Sequence, residues 1–243
     1  SPDKATDAQL ESMLSKLVEI ESIDDHAIKA FLERAGARVP KAVIELLIAR
    51  ITHKDNSPSQ RRYEPIPHRG IPGDLISGAT HDTLVELLEM VHGLEVPKGS
   101  EHYLPGLYQI ATRTYSPEGV AALADFVAAA KTREQIERAA RLTEAASPFF
   151  VFEQRALVES MLVKAASIDE ETLDSVKYRL GNSTINLTRM GPVGEPFPED
   201  VALVERVAVA LDELDPNSLL AGFYRKLGEG AEARVRRQVE DDD

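Results

Sequence analysis

Apolar residues recur at helical spacing through most of this chain. The first 53 residues contain three stripes that step by three and four residues, as the buried face of an amphipathic helix does. Their members are Leu10, Leu14, Leu17 and Val18; Ile28, Phe31 and Leu32; and Val43, Leu46, Leu47 and Ile51. Similar stripes fill 80–243, and no two-residue hairpin signal lies between alternating runs. The pattern therefore predicts an all-α protein.

Polar residues and prolines in front of the stripes predict where the helices begin. In the first 53 residues these starts are Asp7, Asp24 or Asp25, and Pro40, which suit an N-cap or a first helical turn. The later starts are Thr80 or His81, Ser116 with Pro117, Thr132 with Gln135, Ser147 with Pro148, Ser167 with Glu170, and Asp200 or a neighbour. Asp215-Pro216 and Gly228 predict two final helices, which end near Leu227 and Val239.

The helical pattern stops between residues 54 and 79. Prolines and glycines punctuate this stretch without sustained periodicity, at Pro58, Pro65, Pro67, Gly70, Pro72, Gly73 and Gly78. Compact domains rarely contain structureless connections longer than about 15 residues unless these are functional loops or linkers. We therefore divide the chain into N-terminal helices at 1–53, a long loop at 54–79 that is either a linker or a binding element, and a helical-repeat domain at 80–243.

The helix pairs after the loop begin about 30 to 50 residues apart, which overlaps the period of HEAT and armadillo repeats. Each pair in such an array exposes an apolar face that only a neighbouring pair can cover. The tetratricopeptide consensus includes a tryptophan, which this chain lacks. We predict an irregular HEAT-like stack of antiparallel helix pairs, an α-solenoid, with about 11–13 helices.

Composition narrows the classes of function. Forty-one acidic and 28 basic residues give a net charge of −13, which makes nucleic acid an unlikely partner unless a local basic loop binds it. There is no cysteine, so disulfides and thiolate chemistry are excluded. No apolar run approaches the roughly 18 residues of a membrane span, and no signal-peptide segment opens the chain. The sequence predicts a cytoplasmic protein without a membrane partner.

A basic cluster in the predicted loop is the sharpest candidate site. Arg61, Arg62, His68 and Arg69 collect positive charge in an acidic chain, and Tyr63 is expected to lie exposed beside them. Arginine pairs bind phosphates and carboxylates through bidentate hydrogen bonds, so the cluster is suited to an acidic partner segment. The alternative is that these arginines form ordinary ion pairs with neighbouring acidic helices.

Phe149 is the second candidate for partner binding. It belongs to the densest aromatic cluster of the chain, with Phe150 and Phe152, and Phe223 with Tyr224 forms another. Aromatic clusters at helical spacing usually belong to the core. An exposed Phe149 would instead be suited to anchor a protein partner.

No catalytic sequence motif of this chain lies in the spacing or secondary structure that its chemistry requires. The histidines lack the spacing of a zinc site, and the string that starts at Gly228 matches a dinucleotide motif without the strand that should precede it. There is no P-loop and no nucleophile elbow. We predict no catalytic residue, metal or cofactor. The alternative is a helical nuclease or hydrolase, which needs convergence of several side chains from His68, His81, His92, His102, Glu86 and Glu101.

Three stretches give the chain a family resemblance. They are 147–180, which opens with Ser147-Pro148-Phe149-Phe150; Gly191-Pro192-Val193-Gly194-Glu195-Pro196-Phe197-Pro198; and 220–243. In these residues the chain resembles the helical-repeat C-terminal regions of large bacterial STAND-type NTPases, which belong to signalling and anti-phage conflict systems. The resemblance implies repeats that sense a trigger or hold the protein inactive, while separate domains bind nucleotide and act as effectors. Since this chain lacks a P-loop, the resemblance implies a fragment or a split sensor.

The expected function is therefore non-catalytic. The chain is predicted to be a protein-binding, sensor or regulatory scaffold whose partner is another protein or the other domains of a larger parent chain. A purely architectural oligomerisation module is the remaining alternative.

Overall fold

The computed structural model describes residues 5–53, 63–67, 74–185 and 195–240. In these ranges the chain forms twelve α-helices and two short 3₁₀ turns, at Leu17–Glu19 and Glu101–Tyr103. The helices are α1 (Asp7–Lys16), α2 (His26–Gly36), α3 (Pro40–His53), α4 (His81–His92), α5 (Leu104–Ala111), α6 (Pro117–Ala129), α7 (Arg133–Arg141), α8 (Phe150–Glu153), α9 (Arg155–Ile168), α10 (Glu170–Ile185), α11 (Pro198–Asp212) and α12 (Leu219–Glu240). In these ranges the β-type pairing is an isolated parallel bridge between Ser22 and Glu64. The all-α prediction is confirmed, and the number of helices agrees with it.

Several helices begin where the sequence pattern predicts. The confirmed starts are Asp25, Pro40, Thr80, Ser116 with Pro117, and Thr132 with its capping-box partner Gln135. Asp25 shows the mechanism, because its carboxylate accepts hydrogen bonds of 2.8 and 3.3 Å from the amides of Ala27 and Ile28. Such caps act through one or two local hydrogen bonds, so the sequence alone reveals them.

The starts of α1 and α10 differ from the prediction. Thr6 caps α1, so Asp7 is the first helical residue and not the cap. Asp169 caps α10, because its carboxylate accepts a hydrogen bond of 2.7 Å from the amide of Thr172. α9 continues to Ile168 and therefore includes Ser167. In both cases the true cap lies within two residues of the predicted one, and which side chain acts depends on where the preceding segment ends.

The last helix is longer than expected. α12 runs without a break from Leu219 to Glu240, so the prediction of two helices divided at Gly228 is wrong. A Cβ atom at Gly228 would lie 2.9 Å from Cγ1 of Val207 in α11. The glycine therefore serves the close approach of two helices and does not end one. Among the described helices, α12 included, none combines the length and apolar character needed to cross a bilayer.

The chain divides into two compact units, Ser1–Ala129 and Ala130–Asp243. The first unit contains α1 to α6, and the second contains α7 to α12. The sequence pattern placed the interruption at 54–79, most of which lies outside the described residues. The predicted ranges 1–53, 54–79 and 80–243 stay predictions.

α3 lies at the centre of the first unit. It contacts α1, α2, α4 and α5. Its buried residues are Val43, Ile44, Leu46, Leu47, Arg50 and Ile51. The segment 74–78 crosses the end of α2 so closely that a Cβ atom at Gly36 would lie 1.7 Å from the carbonyl oxygen of Leu75. The core of this unit therefore depends on α3 and on the segments that cross the helix ends.

A turn with unusual backbone angles joins α5 to α6. Arg113, Thr114 and Tyr115 have φ angles of 49°, 56° and 56°, in the left-handed region that residues with a side chain rarely adopt. The guanidinium of Arg113 donates hydrogen bonds of 3.1 and 2.6 Å to the carboxylate of Asp74. This bidentate pair attaches the turn to 74–78 and helps to hold a conformation that costs on the order of 1 kcal/mol per residue.

In the second unit α7, α9 and α10 contact one another. Arg133 at the start of α7 pairs with Glu171 at the start of α10 at 2.7 Å. Farther along α10, Arg179 donates a hydrogen bond of 3.0 Å to Glu144, just after α7. α7 and α10 therefore run in the same direction. α9 runs the opposite way, because Lys164 near its end donates a hydrogen bond to a backbone carbonyl just before α7.

α11 and α12 form an antiparallel pair in the second unit. Asp200, in the first turn of α11, is buried and accepts hydrogen bonds of 2.8 Å from Arg234 and 3.0 Å from Gln238, near the end of α12. Later in α11, Val207 lies against Gly228, which is earlier in α12. α12 also contacts α9. The prediction that Asp200 or a neighbour caps α11 is corrected: Phe197 occupies the cap position without a side-chain hydrogen bond, and Asp200 is an interior ion-pair residue.

Aromatic residues fill the centre of the second unit. Phe150, Phe152, Phe223 and Tyr224 are at most 8% exposed, which confirms the core interpretation of these residues. The rings of Tyr224 and Phe152 stack with centroids 5.0 Å apart, and the Tyr224 hydroxyl donates a hydrogen bond of 2.6 Å to the carbonyl oxygen of Val151. Burial raises the pKa of Tyr224 to about 12.

The buried hydroxyl of Tyr224 predicts a specific pH dependence. Tyrosine ionises near pH 10 in an unfolded chain, about two units below the value in the fold, so ionisation opposes folding. The stabilising contribution is complete below about pH 10 and is lost as the pH rises through about 12. We expect ultraviolet difference absorption to show a tyrosinate step near pH 12 whose amplitude is smaller in Tyr224→Phe by the absorbance of one tyrosinate. An unchanged amplitude in the variant would contradict the assignment.

Two glycines of α12 predict opposite effects of the same substitution. Gly222 has no atom within 4 Å of a built Cβ, so Gly222→Ala should raise the free energy of unfolding by about 0.5–1 kcal/mol through helix propensity. At Gly228 the new methyl group would press on Val207, and overpacking should outweigh that gain and lower stability by about 1 kcal/mol. Urea denaturation of the two variants measures both effects, and a common sign for the two would refute the packing argument.

Candidate partner-binding site

The predicted basic cluster is only partly described. Arg61, Arg62, His68 and Arg69 lie outside the described residues, so their role in partner binding stays a prediction. The intervening residues 63–67 are described and lie against the buried side chain of Arg50 in α3.

Arg50 is fully buried, and its guanidinium donates to backbone carbonyl groups. The acceptors are the carbonyl oxygens of Leu17, Val18 at 3.4 Å, Ile20 at 2.8 Å, Glu64 at 2.6 Å and Pro65 at 3.0 Å. These carbonyl dipoles replace the water that a charged group loses on burial. Loss of solvent lowers the pKa of Arg50. The side chain therefore joins the end of the α1 region to 63–67, and its role is structural.

Tyr63 is buried, so the expectation of an exposed ring beside the arginines is wrong. Its side chain is 2% exposed. The guanidinium carbon of Arg50 lies 4.6 Å from the ring centroid, and the hydroxyl donates a hydrogen bond to the carbonyl oxygen of Val18. Burial raises the pKa of this hydroxyl. The ring lies inside because its π face offsets part of the cost of the buried cation, so it presents no surface to a partner.

Phe149 is partly exposed and directly precedes α8. The guanidinium carbon of Arg206, on α11, lies 3.8 Å from the centroid of its ring. One face of the ring is thus covered by a cation–π contact within the unit. Its proposed role as a partner anchor stays a prediction.

Each described residue that the enzyme alternative requires makes a contact of its own. His81 pairs with Asp125 at 2.8 Å, His92 lies against Phe126, His102 lies against Tyr103, Glu86 lies 3.9 Å from Lys41, and Glu101 accepts a hydrogen bond from the amide of Gly99. His68 lies outside the described residues. In the part of the chain that the structure covers, no group of three His, Asp or Glu side chains is placed to hold a metal ion.

A groove of about 330 Å³ lies between α10 and α12 in the second unit. It is lined by Asp174, Lys177, Tyr178, Gly181 and Asn182 from α10, and by Phe223, Lys226 and Leu227 from α12. Gly181, Phe223 and Leu227 form an apolar floor. A Cβ atom at Gly181 would lie 3.4 Å from Cδ2 of Leu227, so the glycine leaves room where the helices meet. The volume is within the range of about 300–1,000 Å³ that binding pockets have.

The rim of this groove carries an exposed aromatic ring and two lysines. Tyr178 is 70% exposed, more than any other large apolar side chain of the described ranges. Lys177 lies 3.7 Å from Asp174 in the same helix. Lys226 is exposed and has no ion pair with another described residue. With the amide of Asn182, the rim offers more hydrogen-bond donors than acceptors.

A second groove of about 320 Å³ lies between α11 and α12. Val201, Val204 and Val235 form its apolar part, and its charged residues are Glu205, Glu232 and Arg236. α12 therefore borders two apolar grooves whose charged residues differ, since lysines predominate in the first and glutamates in the second.

The sequence analysis missed Tyr178 and Lys226. Leu173, Val176 and Leu180 mark the apolar stripe of α10, and Tyr178 lies outside it. A large aromatic residue out of phase with the buried stripe of a helix is a signal that could have identified it. Lys226 had no such signal, because its position beside α10 depends on the packing of α12.

Comparison with known proteins identifies no relative of this chain. No protein-family model matches it, and neither does any curated protein or solved structure.

Proposed function

We propose that this chain is a non-catalytic protein-binding scaffold with a sensor or regulatory role, and that the groove between α10 and α12 holds a segment of its partner. The exposed ring of Tyr178 above an apolar floor is the observation that carries the proposal. Aromatic side chains beside a pocket are the type of residue that contributes most to protein interfaces. The separate contacts of the histidines and acids described above support a binding role over catalysis.

A HEAT-like arrangement of the helices is also part of this proposal. Its support is the second unit, where α7 and α10 run in the same direction, α9 opposes them, and the antiparallel pair of α11 and α12 contacts α9. Successive helix pairs of an α-solenoid alternate in this way. We propose that the chain is a cytoplasmic helical-repeat region of a bacterial STAND-type signalling or defence protein, whose partner is another protein or the other domains of that parent chain.

The groove predicts a clear difference between two exposed apolar residues. Peptides selected from a random phage-displayed library on the immobilised chain should bind about tenfold or more weakly to Tyr178→Ala, because the substitution removes an interface anchor. Val209, on α11, is 60% exposed and lies outside the groove, so Val209→Ala should bind the same peptides as the wild type does.

Both substitutions are at exposed sites, so each should change the free energy of unfolding by less than about 0.5 kcal/mol. Fluorescence anisotropy of the labelled peptides measures the affinities, and circular dichroism verifies the fold. If none of the selected peptides distinguishes Tyr178→Ala from Val209→Ala, the groove is not a binding site and the proposal fails.

A further inference from the structure

We propose that the groove between α10 and α12 takes an acidic amphipathic segment of a protein, with an apolar side chain on its floor and a carboxylate at Lys226. The inference rests on the binding function proposed above for this groove and adds the chemistry of its occupant.

The floor of the groove requires an apolar anchor. Phe223 is 2% exposed, and Leu227 closes the floor beside Gly181. These groups offer no hydrogen bonds from their side chains, so a polar group placed on them would lose its hydration without compensation. An aliphatic or aromatic side chain would instead gain from leaving water. Tyr178 at the rim adds a ring against which such a side chain can pack.

The rim requires an acceptor. Lys226 and the amide group of Asn182 supply donors to the groove, one from each helix. The one carboxylate of the lining, Asp174, already lies beside Lys177. Lys226 has no such neighbour in the described residues. A carboxylate from the partner would therefore find a lysine that no acid of the groove neutralises.

The charge of the rest of the molecule makes this groove distinctive. The whole chain has a net charge of −13, so an acidic segment is repelled by most of the surface. The lining of this groove contains two lysines and one aspartate, whereas the lining of the groove between α11 and α12 contains two glutamates and one arginine. Of these two grooves, only the first has a positive balance, and it alone matches an acidic amphipathic segment.

A double-mutant cycle tests the assignment. The probes are the tightest Tyr178-dependent peptide from the library selection and the same peptide with each Asp and Glu replaced by Asn and Gln. The proteins are the wild type, Lys226→Gln and, as a matched control, Lys131→Gln, an exposed lysine outside the groove. We expect neutralisation of the peptide to weaken binding to the wild type and to Lys131→Gln by about fivefold, and to have little effect on Lys226→Gln, because a partly exposed charge pair contributes this much.

The outcomes separate the two proposals. If neutral peptides bind the wild type as tightly as acidic ones and still depend on Tyr178, the groove binds protein segments but the acidic assignment is overturned. An equal loss for wild type and Lys226→Gln also overturns it, since the carboxylate would then act elsewhere. If a single-stranded oligothymidine displaces the peptide at equal concentration, nucleic acid is the better occupant and the assignment fails. Absence of any Tyr178-dependent peptide refutes the proposed function itself.

Discussion

Arg50→Ala should strongly destabilise the first unit. The substitution removes the donor for several buried carbonyl groups, and each unsatisfied acceptor costs about 1–3 kcal/mol. It also leaves a cavity beside Tyr63, because the ring of Tyr63 packs against the guanidinium while its hydroxyl donates to the carbonyl oxygen of Val18. We expect the free energy of unfolding to fall by about 4 kcal/mol, a large share of the 5–15 kcal/mol that a domain of this size has.

Urea denaturation followed by circular dichroism measures this loss, and hydrogen exchange locates it in α1 to α3. Arg38→Ala is the matched control, because Arg38 is exposed and pairs with Asp7 at the surface, where removal costs at most about 1 kcal/mol. The stability of Arg50→Lys should be intermediate. An ammonium group keeps the charge, but it lacks the planar fork of donors with which the guanidinium binds the carbonyl groups of 17–20 and 64–65 together. Equal stabilities of Arg50→Ala and Arg38→Ala would contradict the role assigned to the buried guanidinium.

Asp200→Ala is expected to be nearly as harmful to the second unit. Asp200 is 1% exposed and is the acidic partner of Arg234, whose Nη2 atom is buried without a hydrogen-bond partner in the described residues. Removal of the carboxylate leaves a mostly buried cation uncompensated and also removes the acceptor of the Gln238 side-chain NH₂ group. We expect a loss of about 3 kcal/mol in the free energy of unfolding.

Chemical denaturation of three variants distinguishes this ion pair from a surface effect. Asp200→Asn retains one acceptor for Arg234 and should lose less than Asp200→Ala. Glu205→Ala changes an exposed acid of the same helix and should be within about 0.5 kcal/mol of the wild type. A loss from Asp200→Ala no greater than that from Glu205→Ala would show that the pair does not hold α11 against α12.

The helices were predictable because their signals are local. An apolar stripe and a capping box such as Thr132 with Gln135 are complete within a few residues, and the structure reproduces them. Gly228 was misread because glycine has two uses, as a helix end and as a place of close approach, and only the neighbouring Val207 decides between them. Asp200 likewise resembles an N-cap in sequence, while its partner Arg234 is 34 residues away.

The candidate site was harder to predict, because its residues come from distant parts of the chain. Tyr63 lies in a basic, proline-rich stretch and was expected at the surface. Its ring instead packs against a buried arginine from α3. The groove between α10 and α12 consists of residues about 40 to 50 positions apart, such as Tyr178 and Lys226, and no local pattern joins them. Periodicity shows which face of a helix is buried, but it does not show which helix lies beside it.

The position of Arg50 also has a consequence for synthesis on the ribosome. Its acceptors lie on both sides of it in the chain, at 17–20 and at 64–65. When α1 to α3 emerge, the guanidinium still lacks the second group of carbonyls, and a charge without its acceptors opposes burial. We therefore expect α3 to take its final place only after 63–67 has been made, so that the core around this helix closes when part of the chain beyond it has left the ribosome.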